Sequence, residues 1–127
     1  MARIELLSPD LLFGSKVEGG LAAAGHEVER VRAPEQARAA CAGAELLVVD
    51  LTHDDYDGAG LVESMRAAGE LDELKTLGFY SHVDQDTRRR AEGAGFDLVV
   101  PRSRMAREMG ALVERLLAED PLTGNRD

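Results

Sequence analysis

The chain has 127 residues, 24 of them acidic and 15 basic, for a formal net charge of -9 with the histidines neutral. That length gives one domain with a core large enough to need neither disulfides nor a metal staple, and the single cysteine, Cys41, suits a reducing compartment. Strong acidity without an aromatic-rich basic patch excludes nucleic acid and anionic membranes as expected partners, and no apolar run reaches the roughly 20 residues that span a bilayer, so a soluble cytoplasmic protein is expected.

Strand and helix patterns alternate along the chain. Arg3 to Leu7 reads as a first strand, punctuated by the turn and helix-start chemistry of Ser8-Pro9-Asp10. A helix follows from about Leu11 to Ala24 and stops at Gly25. His26 to Val31 alternates as an outer strand does, and Pro34 to Gly43 is a short Ala-rich helix with Pro in its first turn. Cys41 lies in that helix as a small buried residue rather than a reactive thiol. Glu45 to Asp50 contains four consecutive aliphatic residues, the mark of a parallel strand buried on both faces, and ends in a carboxylate.

The acidic loop after Asp50 leads to a third helix, Gly58 to Gly69, with Leu61, Val62, Met65 and Ala68 at helical spacing. Lys75 to Tyr80 is the fourth strand, and Ser81 opens a polar loop, where its hydroxyl is also a natural N-cap for a helix beginning near Val83. Helix four is expected from about Gln85 to Gly93, strand five over Phe96 to Pro101, and a last helix over Arg104 to Ala118 with Met105, Met109, Leu112, Val113 and Leu116 on its apolar face. The polar residues 119 to 127 read as a flexible tail to a domain of residues 1 to 118.

Five strand-helix repeats imply a parallel sheet covered on both faces, because right-handed crossovers deposit helices on either side. The expected fold is α/β, a flavodoxin-like (βα)5 three-layer sandwich with strand order 2-1-3-4-5. Such sheets carry their sites at the carboxyl ends of the strands, which gives Asp50 a functional address.

Over about Ala2 to Leu117 the chain resembles a receiver domain of two-component signalling. Receivers end strand three in a phosphoacceptor Asp and place an Asp-Gly pair seven and eight residues later, a spacing that Asp50, Asp57 and Gly58 reproduce. Their strand four ends in Ser or Thr, matched by Ser81, and a Lys-Pro pair follows strand five, where this chain has Arg102 and Ser103. The resemblance implies Asp50 as phosphoacceptor, with Ser81 and Arg102 as phosphoryl-contact or switch residues.

The chain departs from that pattern at the metal. Receivers hold magnesium with an acidic pair after strand one, and Ser8 and Pro9 stand at those positions, leaving only Asp10 acidic one step on. Magnesium is held by one or two carboxylates in a near-octahedral oxygen set, so its affinity should fall sharply. Arg102 also differs in reach and geometry from a lysine, and it can instead pair permanently with Asp50 or another acidic loop residue. The resemblance thus implies an atypical receiver, or pseudo-receiver, with no expected cofactor and magnesium left open.

A competing constellation has His53, Asp54, Asp55 and Asp57 after strand three and His82, Asp84 and Asp86 after strand four, and Asp10, Asp50, His53 and His82 are the candidate imidazole and carboxylate ligands for a metal. No His-x-His or His-Glu-x-x-His spacing supports it. Pro9 and the apolar Leu11 to Phe13 make the first loop a poor phosphate cradle, and no Gly-x-Gly-x-x-Gly, Walker or nucleophile-elbow pattern is present, so an enzyme is not expected. Interaction remains. Arg88, Arg89, Arg90, Arg104 and Arg107 form a basic stretch in an acidic chain and mark a face for a protein partner or homodimer. The favoured reading is a stand-alone pseudo-receiver acting by protein contact; the alternatives are a working phosphorelay receiver and a metal- or small-ligand-binding protein.

Overall fold

The architecture follows from which strands can tolerate burial on two faces. In the computed structural model, which describes residues 1–119, β3 (Leu46–Asp50) is buried at all five positions and lies in the middle of a five-stranded sheet. On one side of it run β1 (Arg3–Leu7) and the edge strand β2 (Glu27–Val31); on the other run β4 (Lys75–Tyr80) and the edge strand β5 (Leu98–Pro101). All neighbouring pairs are parallel, in the order β2-β1-β3-β4-β5. The flavodoxin-like expectation holds in class and in strand order.

Helices α1 (Leu11–Ala23) and α5 (Arg102–Ala118) cover one face, where Val17, Leu21, Met105 and Leu112 pack on Ile4, Leu6, Val48 and Phe79. Helices α2 (Pro34–Ala40), α3 (Gly58–Ala67) and α4 (Gln85–Ala94) cover the other, with Ala37, Val62, Met65 and Ala91 against Leu7, Leu47 and Val49. Each strand supplies alternate residues to the two cores, the period-2 geometry of a strand between two layers. Cys41 is buried beside α2, as expected of a packing residue, and burial pushes its thiol up to about 12. No helix among the described residues is long and apolar enough to cross a membrane.

Most element ends fall within one to three residues of the sequence reading, and three of the differences have a visible cause. β5 begins at Leu98 rather than Phe96, because the Asp97 carboxylate turns to accept the Thr76 N–H at 2.8 Å and holds the entry as a turn. α5 starts two residues early, at Arg102, directly from the extended Pro101, and is kinked at Glu108 (φ -127°). The N-cap of α4 is Asp84, not Ser81: its carboxylate accepts the Thr87 N–H and hydroxyl, and these bonds, the hydroxyl first, hold it below the usual carboxylate range. The expected tail beyond Glu119 lies outside the described residues.

Candidate functional site

The site begins with register. Leu7 of β1 pairs with Val49 of β3, so the residues that follow them, Ser8 and Asp50, emerge side by side at the carboxyl edge of the sheet. Both are 0 % exposed. The Ser8 hydroxyl donates to Asp50 Oδ2 at 2.7 Å, while Thr52 donates to Oδ1 through its N–H at 2.8 Å and its hydroxyl at 2.6 Å. A buried carboxylate costs several kcal/mol unless donors replace its water, and here both oxygens have them. The Tyr56 hydroxyl, 2.6 Å from the Asp50 carbonyl oxygen, ties the loop after β3 down over the same residue. Burial, with Asp50 and Asp55 nearby, drives that phenol well above its usual value, so it acts as a donor.

His53 closes the remaining side. Its Nε2 lies 3.6 Å from Asp50 Oδ2 and 3.6 Å from Asp10 Oδ2, is shielded from solvent and makes no hydrogen bond. Asp10 is already committed as the N-cap of α1, accepting the Leu12 and Phe13 N–H groups at 2.9 Å each. Those bonds, the one from Phe13 foremost, hold its carboxyl below the usual range.

The Asp57-Gly58 pair has a local purpose. Asp57 caps α3 by accepting the Gly60 N–H at 2.9 Å, and it pairs with Arg90 at 3.0 Å. Gly58 is required by close approach, since a Cβ there would sit 2.7 Å from Leu51 and 2.8 Å from Val49. A cleft of about 440 Å³ opens beside this pair, lined among others by His53, Tyr56, Thr87 and Arg90.

The other sequence candidates scatter. Arg102 does not reach Asp50: its guanidinium lies 5.4 Å over the Phe13 ring, which in turn packs edge-on against Phe79 at 5.2 Å. No ion pair of Arg102 is found among the described residues, so the expected Arg-Asp lock is replaced by a cation–π contact. Ser81 is half-buried, and its carbonyl accepts the Asp84 N–H in a turn; its hydroxyl is not among the donors to Asp50. His82 is exposed, its carbonyl taking the Gln85 side chain, and it does not join His53.

Of the four metal candidates, only Asp10, Asp50 and His53 come together. Among the described residues no group of three or more His, Cys, Asp or Glu side chains has the arrangement of a metal site. The magnesium set does not fit either. Both Asp50 oxygens already accept from hydroxyl or amide donors, Asp10 Oδ1 takes two helix amides, and the His53 imidazole rather than open space faces the Oδ2 of each.

The basic stretch is internally neutralised. Arg88 pairs with Glu92 at 3.2 Å, Arg89 with Asp86, and Arg90 with Asp57 and Glu63; Arg104 and Arg107 share Glu108 at 3.2 and 3.4 Å. Exposed pairs of this kind add little stability. Sequence reasoning missed Thr52 and Tyr56. A hydroxyl two residues after an Asp is a side-chain turn signal that could have found Thr52, whereas the Tyr56 contact depends on how the loop folds back.

No protein-family model matches the chain, and no curated relative does. Solved structures do match in fold. A protein assigned as a response regulator in Chloroflexus aurantiacus superposes with a TM-score of 0.82 at 20% identity, over 93% of this chain and 98% of that one. The receiver domain of a Pseudomonas aeruginosa sensor histidine kinase, with a magnesium ion coordinated in its active-site cleft, gives 0.81 at 17%, over 93% and 98%. The phosphorylated cyanobacterial phytochrome response regulator RcpA gives 0.77 at 16%, over 92% and 94%. The fold is that of response-regulator receiver domains.

Proposed function

From that receiver fold we propose a regulatory module of the pseudo-receiver type, cytoplasmic and non-enzymatic, that works through protein contact without phosphorylation of Asp50. The observation that carries this reading is the closure of Asp50, which is 0 % exposed with Ser8 and Thr52 donating to its two oxygens. Phosphoryl transfer needs a carboxylate oxygen free to attack in line and a cation to neutralise the incoming charge. Both Asp50 oxygens already accept hydrogen bonds, the His53 imidazole lies 3.6 Å from Oδ2, and Arg102 is held on Phe13. A fixed state of this kind suits a constitutive partner surface, and α4 with the start of α5, carrying Arg88, Arg89, Arg90, Arg104 and Arg107, is the proposed face. Its mixed charge, each arginine beside a carboxylate, fits a partner or second copy of mixed charge.

The test is incubation with acetyl phosphate and magnesium followed by intact-mass measurement. No phosphoryl adduct is expected, and partner capture by Asp50→Asn should equal that of the wild type. An adduct that disappears in Asp50→Asn would overturn the reading in favour of a working phosphorelay receiver.

A further inference from the structure

The sheet holds a second buried carboxyl group, three residues before Ser8 along β1. Glu5 is 1 % exposed at the centre of that strand, on the face covered by α2 and α3. Its Oε2 is 3.6 Å from the Arg3 guanidinium, and its Oε1 is buried with no hydrogen-bond partner. The register sets Glu5 directly beside Glu29 of edge strand β2 and, on its other side, beside Leu47 of β3, which offers no polar atom. Two carboxyl groups in adjacent, same-face positions are stable when one carries a proton and donates it to the other. Burial first, then Glu29, pushes the Glu5 carboxyl up to about 7.

Arg3 works against that rise, but no group among the described residues hydrogen-bonds Oε1. Arg3 is half-exposed and stands opposite Glu27 in the register. At the end of α2 the buried Cys41 thiol feels the charge of Glu5 but carries no opposite charge to offset it. Arg38 is occupied elsewhere, clamping α2 to α3 through Glu70 at 2.8 Å and Ser64 at 2.8 Å. His26, just before β2, is held separately by the Ala2 N–H on Nδ1.

We propose that Glu5, sharing a proton with Glu29, is a pH-sensitive latch that holds α2 and edge strand β2 on the sheet, and that its ionisation loosens this edge. The direction follows from linkage. In the opened edge Glu5 meets water and ionises at the ordinary carboxylate value, whereas in the closed edge it keeps its proton to near neutrality. Opening therefore becomes easier as pH rises between those two values and is constant above the upper one.

Cys41 makes the opening measurable, because it is the only thiol and is buried beside α2. Labelling by a disulfide reagent, corrected for thiolate fraction with the urea-unfolded protein, should show the opening equilibrium rising roughly tenfold per pH unit from about 5 to about 7 and levelling above. Glu5→Gln should flatten that rise, and Glu29→Gln should move it to lower pH. An equal rise in Glu5→Gln would overturn the latch. Should that variant fail to fold, the carboxyl carbon of Glu5 titrated by NMR in the wild-type protein decides: a midpoint near neutrality supports the latch, and one in the ordinary carboxylate range overturns it.

Discussion

Asp50 and Glu5 are two carboxyl groups buried in one sheet, on neighbouring strands, and the protein treats them in opposite ways. Asp50 receives three hydrogen bonds from Ser8 and Thr52, while Glu5 has one long contact to Arg3 and an oxygen with no partner. Burial alone therefore does not determine how such a group behaves. Where donors converge, a carboxylate is held in one rigid arrangement; where a second carboxyl stands beside it, a proton must fill the gap. The first solution builds a closed site, and the second builds a pH-dependent edge.

The contrast is sharpest in pH dependence. Glu5 is raised in the folded state from its ordinary 4.5 to about 7, so its stabilising effect is complete below 4.5 and is lost as pH climbs to about 7. A rise of that size is worth at most roughly 3 kcal/mol. Asp10 and Asp84 lean the other way, since folded carboxyls held low contribute stability that disappears as pH falls. Urea titrations of wild type and Glu5→Gln at pH 5 and pH 8 separate the two effects: the variant should be the more stable at pH 8 relative to wild type, and the gap should narrow or reverse at pH 5.

At Asp50 the expected loss is somewhat smaller and independent of Glu5. Ser8→Ala removes the donor to Oδ2 found among the described residues, other than the distant imidazole, and should cost about 2 kcal/mol in urea midpoint analysis. Tyr56→Phe removes one hydroxyl bond to the Asp50 carbonyl and should cost about 1 kcal/mol, with faster amide exchange confined to the loop between Leu51 and Asp57. Smallest of all, Arg102→Ala loses the contact with Phe13 and should cost about 0.5 kcal/mol with no effect on the Asp50 environment, visible as unchanged amide shifts at Thr52 and His53. A large perturbation there would mean that Arg102 couples to Asp50 after all.

Much of this was legible in the residues. The aliphatic run ending at Asp50, the alternation of strand and helix patterns and the terminating glycines led to the right order of elements, and β1 and β4 were bounded correctly. The spacing of Asp50, Asp57 and Gly58 pointed to a receiver fold. What could not be read was lateral. Ser8 looked like a missing acid, and only the register of Leu7 against Val49 makes it a donor to Asp50. Nothing in the sequence singles out Glu5, and only the placement of α2 and β2 buries it beside Glu29. Arg102 looked like a phosphoryl contact, yet a weakly hydrated guanidinium beside Phe13 finds the ring first. Side-chain partnerships across strands depend on register and helix docking, neither of which a local pattern encodes.

The central claim, that Asp50 is closed to phosphoryl chemistry, is tested most directly by amide NMR with magnesium alone and then with magnesium plus beryllofluoride, a mimic of the acyl phosphate. Spectra should stay unchanged at millimolar additions, with the Thr52 amide still bonded to the Asp50 carboxylate. Shifts at Asp50, Ser81 and Arg102 that spread into β5 would contradict it.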